Sequence, residues 1–210
     1  MTTSDIVHAG PADLDKVADL IGTAFADLAV AAWLVPDAPT RAAILAANVR
    51  LHVEHALTHG EIHRTGDHTA VAVWVHRDHP APAPADYDTH LEAACGRYTD
   101  RFRILDFLFD VHHPDTQPHH HLAFLAVHPD LHGQGRGSAL LRHHHRALDA
   151  ARLPAYLEAS SARSRDLYAR HGYHVSNGSF RLPDGPPLWP MWRPPSQPAP
   201  PAPASEQEPR

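Results

Sequence analysis

The stretch LAFLAVHPDLHGQGRGSALL, residues 122–141, decides the reading of this chain. It opens on LAFLAV, an apolar run of strand length and composition. A turn follows at His128-Pro129-Asp130, then glycines at alternate positions, Gly133, Gly135 and Gly137, and then a helix start. Without a Cβ, glycine reaches backbone conformations closed to other residues and lets a ligand touch the main chain. Successive N–H groups ahead of a helix N-terminus point into one concavity, with the positive end of the helix dipole behind them. The physical reading is a diphosphate cradle, to which Arg136 and Arg142 add charge and Ser138 a hydroxyl. The dinucleotide pattern G-x-G-x-x-G does not fit GQGRG, and the P-loop pattern is absent, the only lysine being the distant Lys16.

Working outward, residues 5–8 read as a short strand. Pro11 opens a helix that carries Leu14, Val17, Ile21 and Phe25 at helical spacing. A second helix is expected over 39–57. A hairpin follows from 61–65 and 69–76, with Gly66-Asp67 in its turn. Residues 78–87, DHPAPAPADY, read as a stiff connector. Residues 90–111 predict one helix, and HHPDTQPHHH, 112–121, a polar loop. The strand 121–127 leads to a helix over 137–151, a strand over 155–159 and a short helix over 164–171 stopped by Gly172. Weaker strands are expected at 173–175, 180–182 and 188–192. The alternating centre implies an α/β or α+β sandwich whose sheet is partly parallel. Residues 1–193 read as one domain, and 194–210, low in complexity and without apolar anchors, as a disordered Pro-rich tail.

Residues 127–141 resemble the acyl-coenzyme A-binding motif of the GNAT superfamily of N-acetyltransferases, V-x-P-x-x-[RQ]-G-x-G-x-G-[SRK]-x-L-L. His132 stands at the usual Arg or Gln position. Residues 156–175 resemble the family's next strand and helix, whose signature L-Y-x-x-x-G-[FY] is met by Leu167 through Tyr173. The two segments cover about residues 121–175. Within the superfamily the chain is most similar to the puromycin N-acetyltransferase-like group of actinobacteria. That likeness rests on Ala24-Phe25-Ala26-Asp27, on AVAVW at 70–74 and on LEASSARSRDLYARHGY at 157–173.

The resemblance implies the GNAT fold, a mixed twisted sheet of about six or seven strands with helices on both faces. It implies acetyl-CoA as acyl donor. The cofactor-binding residues it implies are Leu125, Ala126 and Val127 of the splayed strand, His132, Gly133, Gln134, Gly135, Arg136, Gly137 and Ser138 of the loop and helix start, and Ser164. It also implies two catalytic residues: Tyr168 as general acid toward the sulfur, and Glu158 as base, directly or through water. The expected activity is direct transfer of an acetyl group to a primary amine of a small molecule, of antibiotic or secondary-metabolite type. The alternatives are a protein or peptide amine acetyltransferase and a non-catalytic acyl-CoA-binding regulatory module.

Composition bounds the rest. Twenty-four acidic against 18 basic residues give a net charge of −6, which argues against nucleic acid as a partner. One cysteine, Cys95, excludes a disulfide framework; it reads as packed rather than nucleophilic. The start lacks the pattern of a signal peptide and no apolar run reaches the ~20 residues of a membrane span, so a cytoplasmic monomer or homodimer is expected, with no membrane partner. The 21 histidines include HHH at 119–121 and 143–145. Adjacent helical residues point about 100° apart, so the second triplet cannot converge on one ion, and no functional metal site is expected. Trp33, Trp74, Tyr98, Phe102, Phe107 and Phe109 are candidates for an aromatic substrate wall. Asp106 and Asp110, one helical turn apart, are candidates to meet a cationic amine or to form a solvated face.

Overall fold

The computed structural model describes residues 5–77, 86–114 and 117–196. Most of the expected connector 78–87 and of the expected disordered tail 194–210 lies outside the described residues.

The chain begins with strand β1 (Ile6–His8), a 3-10 turn at Pro11–Asp13 and helix α1 (Leu14–Phe25). Helix α2 (Ala29–Leu34), not foreseen in the sequence, precedes the long α3 (Ala38–His59). The hairpin is β2 (Gly60–Thr65) and β3 (Ala70–Arg77). The single helix expected over 90–111 is two, α4 (Tyr87–Cys95) and α5 (Thr99–His112). Between them Gly96 takes φ +51°, which no right-handed helix contains. Then come β4 (His119–Val127), α6 (Arg136–Ala151), β5 (Ala155–Ala159), α7 (Ala162–Arg170), β6 (His174–Val175), β7 (Phe180–Arg181) and β8 (Pro187–Arg193).

The strands form one mixed sheet in the order β1-β2-β3-β4-β5-β8-β6, with β7 added to β8. That makes eight strands, two of them only two residues long. All pairings are antiparallel except β4 with β5. Strand β3, AVAVWVHR, is buried along its first six residues, as befits a central strand covered on both faces. On one face Ala70, Ala72, Trp74 and Leu122 pack with Leu140, Leu141 and Leu148 of α6. On the other, Val71, Val73 and Val75 pack with Val17 and Ile21 of α1 and Val49 and Val53 of α3. A third cluster joins α2, α4 and α5 to the end of the chain through Leu34, Leu91, Phe102, Phe180 and Leu188.

Two features of β4 position the site. The pairing with β3 slips between Val73 and Trp74, so that Phe124 opposes Val73 and Leu122 opposes Trp74. Ala123 is the extra residue of a bulge, which bends the strand. The parallel ladder to β5 ends almost at once, at His120 with Ala155 and His121 with Tyr156. Beyond His121 the two strands diverge.

Strand β4 also starts two residues earlier than the sequence suggested. His119 and His120, read as polar loop, are buried strand residues. Imidazole is flat, half apolar and able to pair with other rings, which is how β4 carries His119 and His120 into the interior.

Candidate active site

The opening between β4 and β5 leads into a groove of about 400 Å³. Its floor is Leu125, Ala126 and Val127, its phosphate end is the loop 131–138, and its far wall is Ser161, Ser164 and Tyr168. Ten of the eleven expected cofactor-binding residues line it, together with Tyr168; Gln134 and Glu158 do not.

The loop has the shape a diphosphate requires. Gly133 and Gly135 take φ +77° and +80°, a region costly for any residue with a side chain. A Cβ at either would meet nothing within 4 Å, so the space beside the main chain is open to a ligand. Gly135 caps α6, leaving the first N–H groups of that helix without intrahelical partners and facing the groove. Gly137 lies against the strand: a Cβ there would make ordinary contact, 3.6 Å from Leu125 and Val127. These are the features that fit an acyl-coenzyme A.

Four side chains expected to touch the ligand are held by contacts within the protein itself. His132 donates from Nε2 to the Val127 carbonyl at 3.0 Å, tying the loop to the strand. Arg136 donates to Asp67 (2.7 Å) and Thr69 (2.6 Å), fastening α6 to the β2–β3 turn. Burial works against the Asp67 carboxylate, but hydrogen bonds from Thr65, Thr69 and Arg136 hold it below the usual carboxylate range. Ser164 completes a capping box with Ser161 at the start of α7, each backbone N–H given to the other's hydroxyl at 3.1 Å. Ser138 bonds His171 at 2.9 Å.

Tyr168 lies on α7, 8% exposed, its ring 5.8 Å from that of Tyr173. Burial pushes its phenol above the ordinary value, so it stays protonated at neutral pH.

Glu158 points to the other face of the sheet, where His121 and Tyr156 also project. Its Oε2 lies 2.9 Å from His121 Nε2 and its Oε1 3.9 Å from His113 Nδ1. Burial would raise this carboxyl, but His121 and His113 outweigh it and hold it below the ordinary range. His119 continues the chain, with Nε2 3.0 Å from His113 Nε2. This cluster sits where β4 and β5 part. Sequence reasoning had Glu158 but missed its imidazole partners, because 112–121 read as loop; the alternation of His119 and His121 with Tyr156 and Glu158 across parallel strands was the signal available.

The other candidates are distributed differently. Trp74 stacks on His144 at 4.1 Å and Phe102 is core, while Phe107 is 65% exposed. Trp33 donates to the Pro183 carbonyl and lies under Arg101. Asp106 is half-buried and accepts from Tyr87 at 2.8 Å; burial lifts its pKa to about 6. Cys95 is buried, and burial pushes its thiol up to about 12, leaving no thiolate at neutral pH.

Residues 100–175 match the family model of the acetyltransferase (GNAT) domain. With the eight-stranded sheet and the splayed central strands, this identifies a GNAT acetyltransferase domain, and the chain is an acyltransferase. Among solved structures it is similar to a histone acetyltransferase HPA2 and related acetyltransferase from Corynebacterium glutamicum. That pair shares 29% identity over 94% of this chain and 99% of the other, with a TM-score of 0.68. Two more distant structures share the fold. Arylalkylamine N-acetyltransferase 2 from Aedes aegypti is 14% identical over 91% and 99% of the two chains, with a TM-score of 0.63. A polyamine N-acetyltransferase from Drosophila melanogaster is 16% identical over 90% and 100%, with a TM-score of 0.57. Among the described residues no helix is long and apolar enough to cross a membrane.

Proposed function

We propose that the protein is an acetyl-CoA-dependent N-acetyltransferase that acts on a primary amine of a small molecule by direct transfer. The carrying observation is that the groove brings the glycine cradle and Tyr168 together, while Glu158 and His121 stand at the fork of the strands that bound it. Acetyl-CoA supplies an acetyl group activated as a thioester. The N–H groups from Gly133 to Ser138 bind its diphosphate, and the diverging edge of Leu125, Ala126 and Val127 bonds its amide arm as an added strand would.

Proton handling falls to two groups, Tyr168 on the groove wall and Glu158 at the fork of β4 and β5. Glu158 stays ionised and orients His121, and the pair takes a proton from the incoming ammonium, directly or through water. Tyr168, held protonated by burial, donates a hydrogen bond to the departing sulfur. The side chains of Glu158 and His121 are 4% and 12% exposed, so the fork admits a slender amine rather than a folded surface. This favours a small molecule over a protein amine, in keeping with the resemblance to the puromycin N-acetyltransferase-like group of actinobacteria, and with a cytoplasmic enzyme of that kind. Residues 1–193 form the catalytic unit and 194–210 are dispensable to it.

A panel of small amines, peptides and a buffer blank, with acetyl-CoA and a thiol reagent to follow release of coenzyme A, tests the reading. Turnover confined to small primary amines supports it. Turnover confined to peptides moves the acceptor class to proteins. Tight binding without release of thiol makes the chain a sensing module.

A further inference from the structure

On the α6 face of the sheet, away from the groove, histidines gather around one carboxylate. His8 of β1 and His63 of β2 are cross-strand partners, their rings 4.4 Å apart. Glu61, two residues before His63, projects to the same face. The ligand atoms of His8, Glu61 and His63 all lie within 4.8 Å of one another. Glu61 Oε2 is 3.5 Å from His63 Nε2 and 3.7 Å from His144 Nδ1, and its Oε1 is 3.5 Å from His76 Nε2. The side chains of His63 and His144 are 3% and 1% exposed.

None of these approaches is a hydrogen bond. His63 Nδ1, His76 Nε2 and His144 Nδ1 are buried without a partner, an expensive state for an imidazole. The spacing has another explanation. Two ligands about 2.1 Å from a shared tetrahedral ion stand roughly 3.4 Å apart. Here a carboxylate oxygen and imidazole nitrogens stand at 3.5–3.7 Å. His120 bonds the far nitrogen of His144 at 2.9 Å, the kind of outer contact that fixes the orientation of a ligating ring.

We propose that His8, Glu61 and His63 bind a divalent cation of the zinc class, with His144 Nδ1 placed to take the fourth position. Mixed imidazole and carboxylate donors suit such an ion and not calcium or magnesium. The three consecutive histidines of α6 diverge, as helical geometry demands: His144 Nδ1 stands 3.7 Å from Glu61, while the ring of His143 lies 4.7 Å from that of His63. The site is therefore assembled across strands rather than along the helix. His8 is exposed at the sheet edge and opens a route for the ion from solvent. None of these residues lines the groove, so the ion would staple the three-residue edge strand β1 to the hairpin and α6 without entering the acyl transfer.

The test uses the full, untagged chain, stripped with chelator and dialysed. Calorimetry with Zn²⁺ at pH 7.5 is expected to show one equivalent bound in the micromolar range or tighter, with a rise in Tm. Co²⁺ in its place is expected to give the intense absorption of a tetrahedral site. His8→Ala, at an exposed position, is expected to weaken binding at least tenfold with circular dichroism unchanged, and Glu61→Gln to abolish the Co²⁺ spectrum. His174→Ala, at an exposed histidine elsewhere, is expected to change neither. No binding tighter than about 100 μM would overturn the proposal. So would binding that survives both His8→Ala and Glu61→Gln, because the ion would then sit elsewhere.

Discussion

Gly135→Ala separates the strain carried by the phosphate loop from its use. Gly135 takes φ +80° and ψ 4°, and a methyl group there meets nothing within 4 Å. The folded chain loses only the backbone preference, about 1–2 kcal/mol for an L-residue in the left-handed region. For a domain of this size that lowers Tm by roughly 2–8 °C. Gly178 provides a matched control: its φ is +81°, its Cβ position is equally open, and it does not line the groove. The two variants should therefore show the same loss of Tm without ligand. They should differ toward coenzyme A. In Gly135→Ala the methyl stands beside the N–H groups that face the diphosphate and keeps it from closing on them. Losing one charge-assisted hydrogen bond, at about 1.5–3 kcal/mol, raises Kd about 10- to 150-fold. Scanning calorimetry and titration calorimetry with coenzyme A measure the two quantities. Equal affinity in both variants would refute the cradle.

Three further outcomes are expected. Tyr168→Phe lowers kcat about 100-fold or more while the Kd for acetyl-CoA stays within twofold; an unchanged kcat would remove the phenol from the reaction. Glu158→Gln lowers kcat on a similar scale with coenzyme A affinity intact. Because the carboxylate lies below its usual range, the wild-type kcat/KM profile should show no limb from it above about pH 5, and a limb there that vanishes in the variant would contradict its ionised state. Asp67→Asn loosens the clamp on Arg136; for this half-exposed pair the loss is about 1 kcal/mol or less at pH 7. In the folded state the Asp67 carboxyl is held below the ordinary aspartate value of about 3.9. The stability it contributes is thus complete above that value and lost as pH falls toward the folded one. The Tm gap between wild type and variant should close on acidification, and a gap that widened would reverse the assignment.

What the sequence disclosed and what it hid divide along one physical line. Residues 122–141 and 156–175 were legible because their information is local. A glycine needed for left-handed φ, a helix start just after it and an apolar strand just before it are all set by near neighbours, and the structure places them as read. The helix break at Gly96 was also local, but a lone glycine inside a 3.6-residue pattern is commonly tolerated, so periodicity alone ran the helix through it. The histidines were the harder case. Any pattern that counts histidine as polar makes HHPDTQPHHH a loop, yet His119 and His120 are buried. Whether an imidazole behaves as polar or apolar depends on its partners across the sheet. His120 meets His144 of α6, His119 meets His113 at the end of α5, and His121 meets Glu158 of β5. All three partners come from other elements, so the ambiguity resolves only once β4 is seated between β3 and β5. The same dependence explains why Glu158 could be found from the strand it occupies while its working partner could not. A carboxylate beside a splayed parallel pair is a property of one segment. An ionised carboxylate held by two imidazoles is a property of three, and it is this arrangement that keeps Glu158 charged in a place where burial alone would neutralise it.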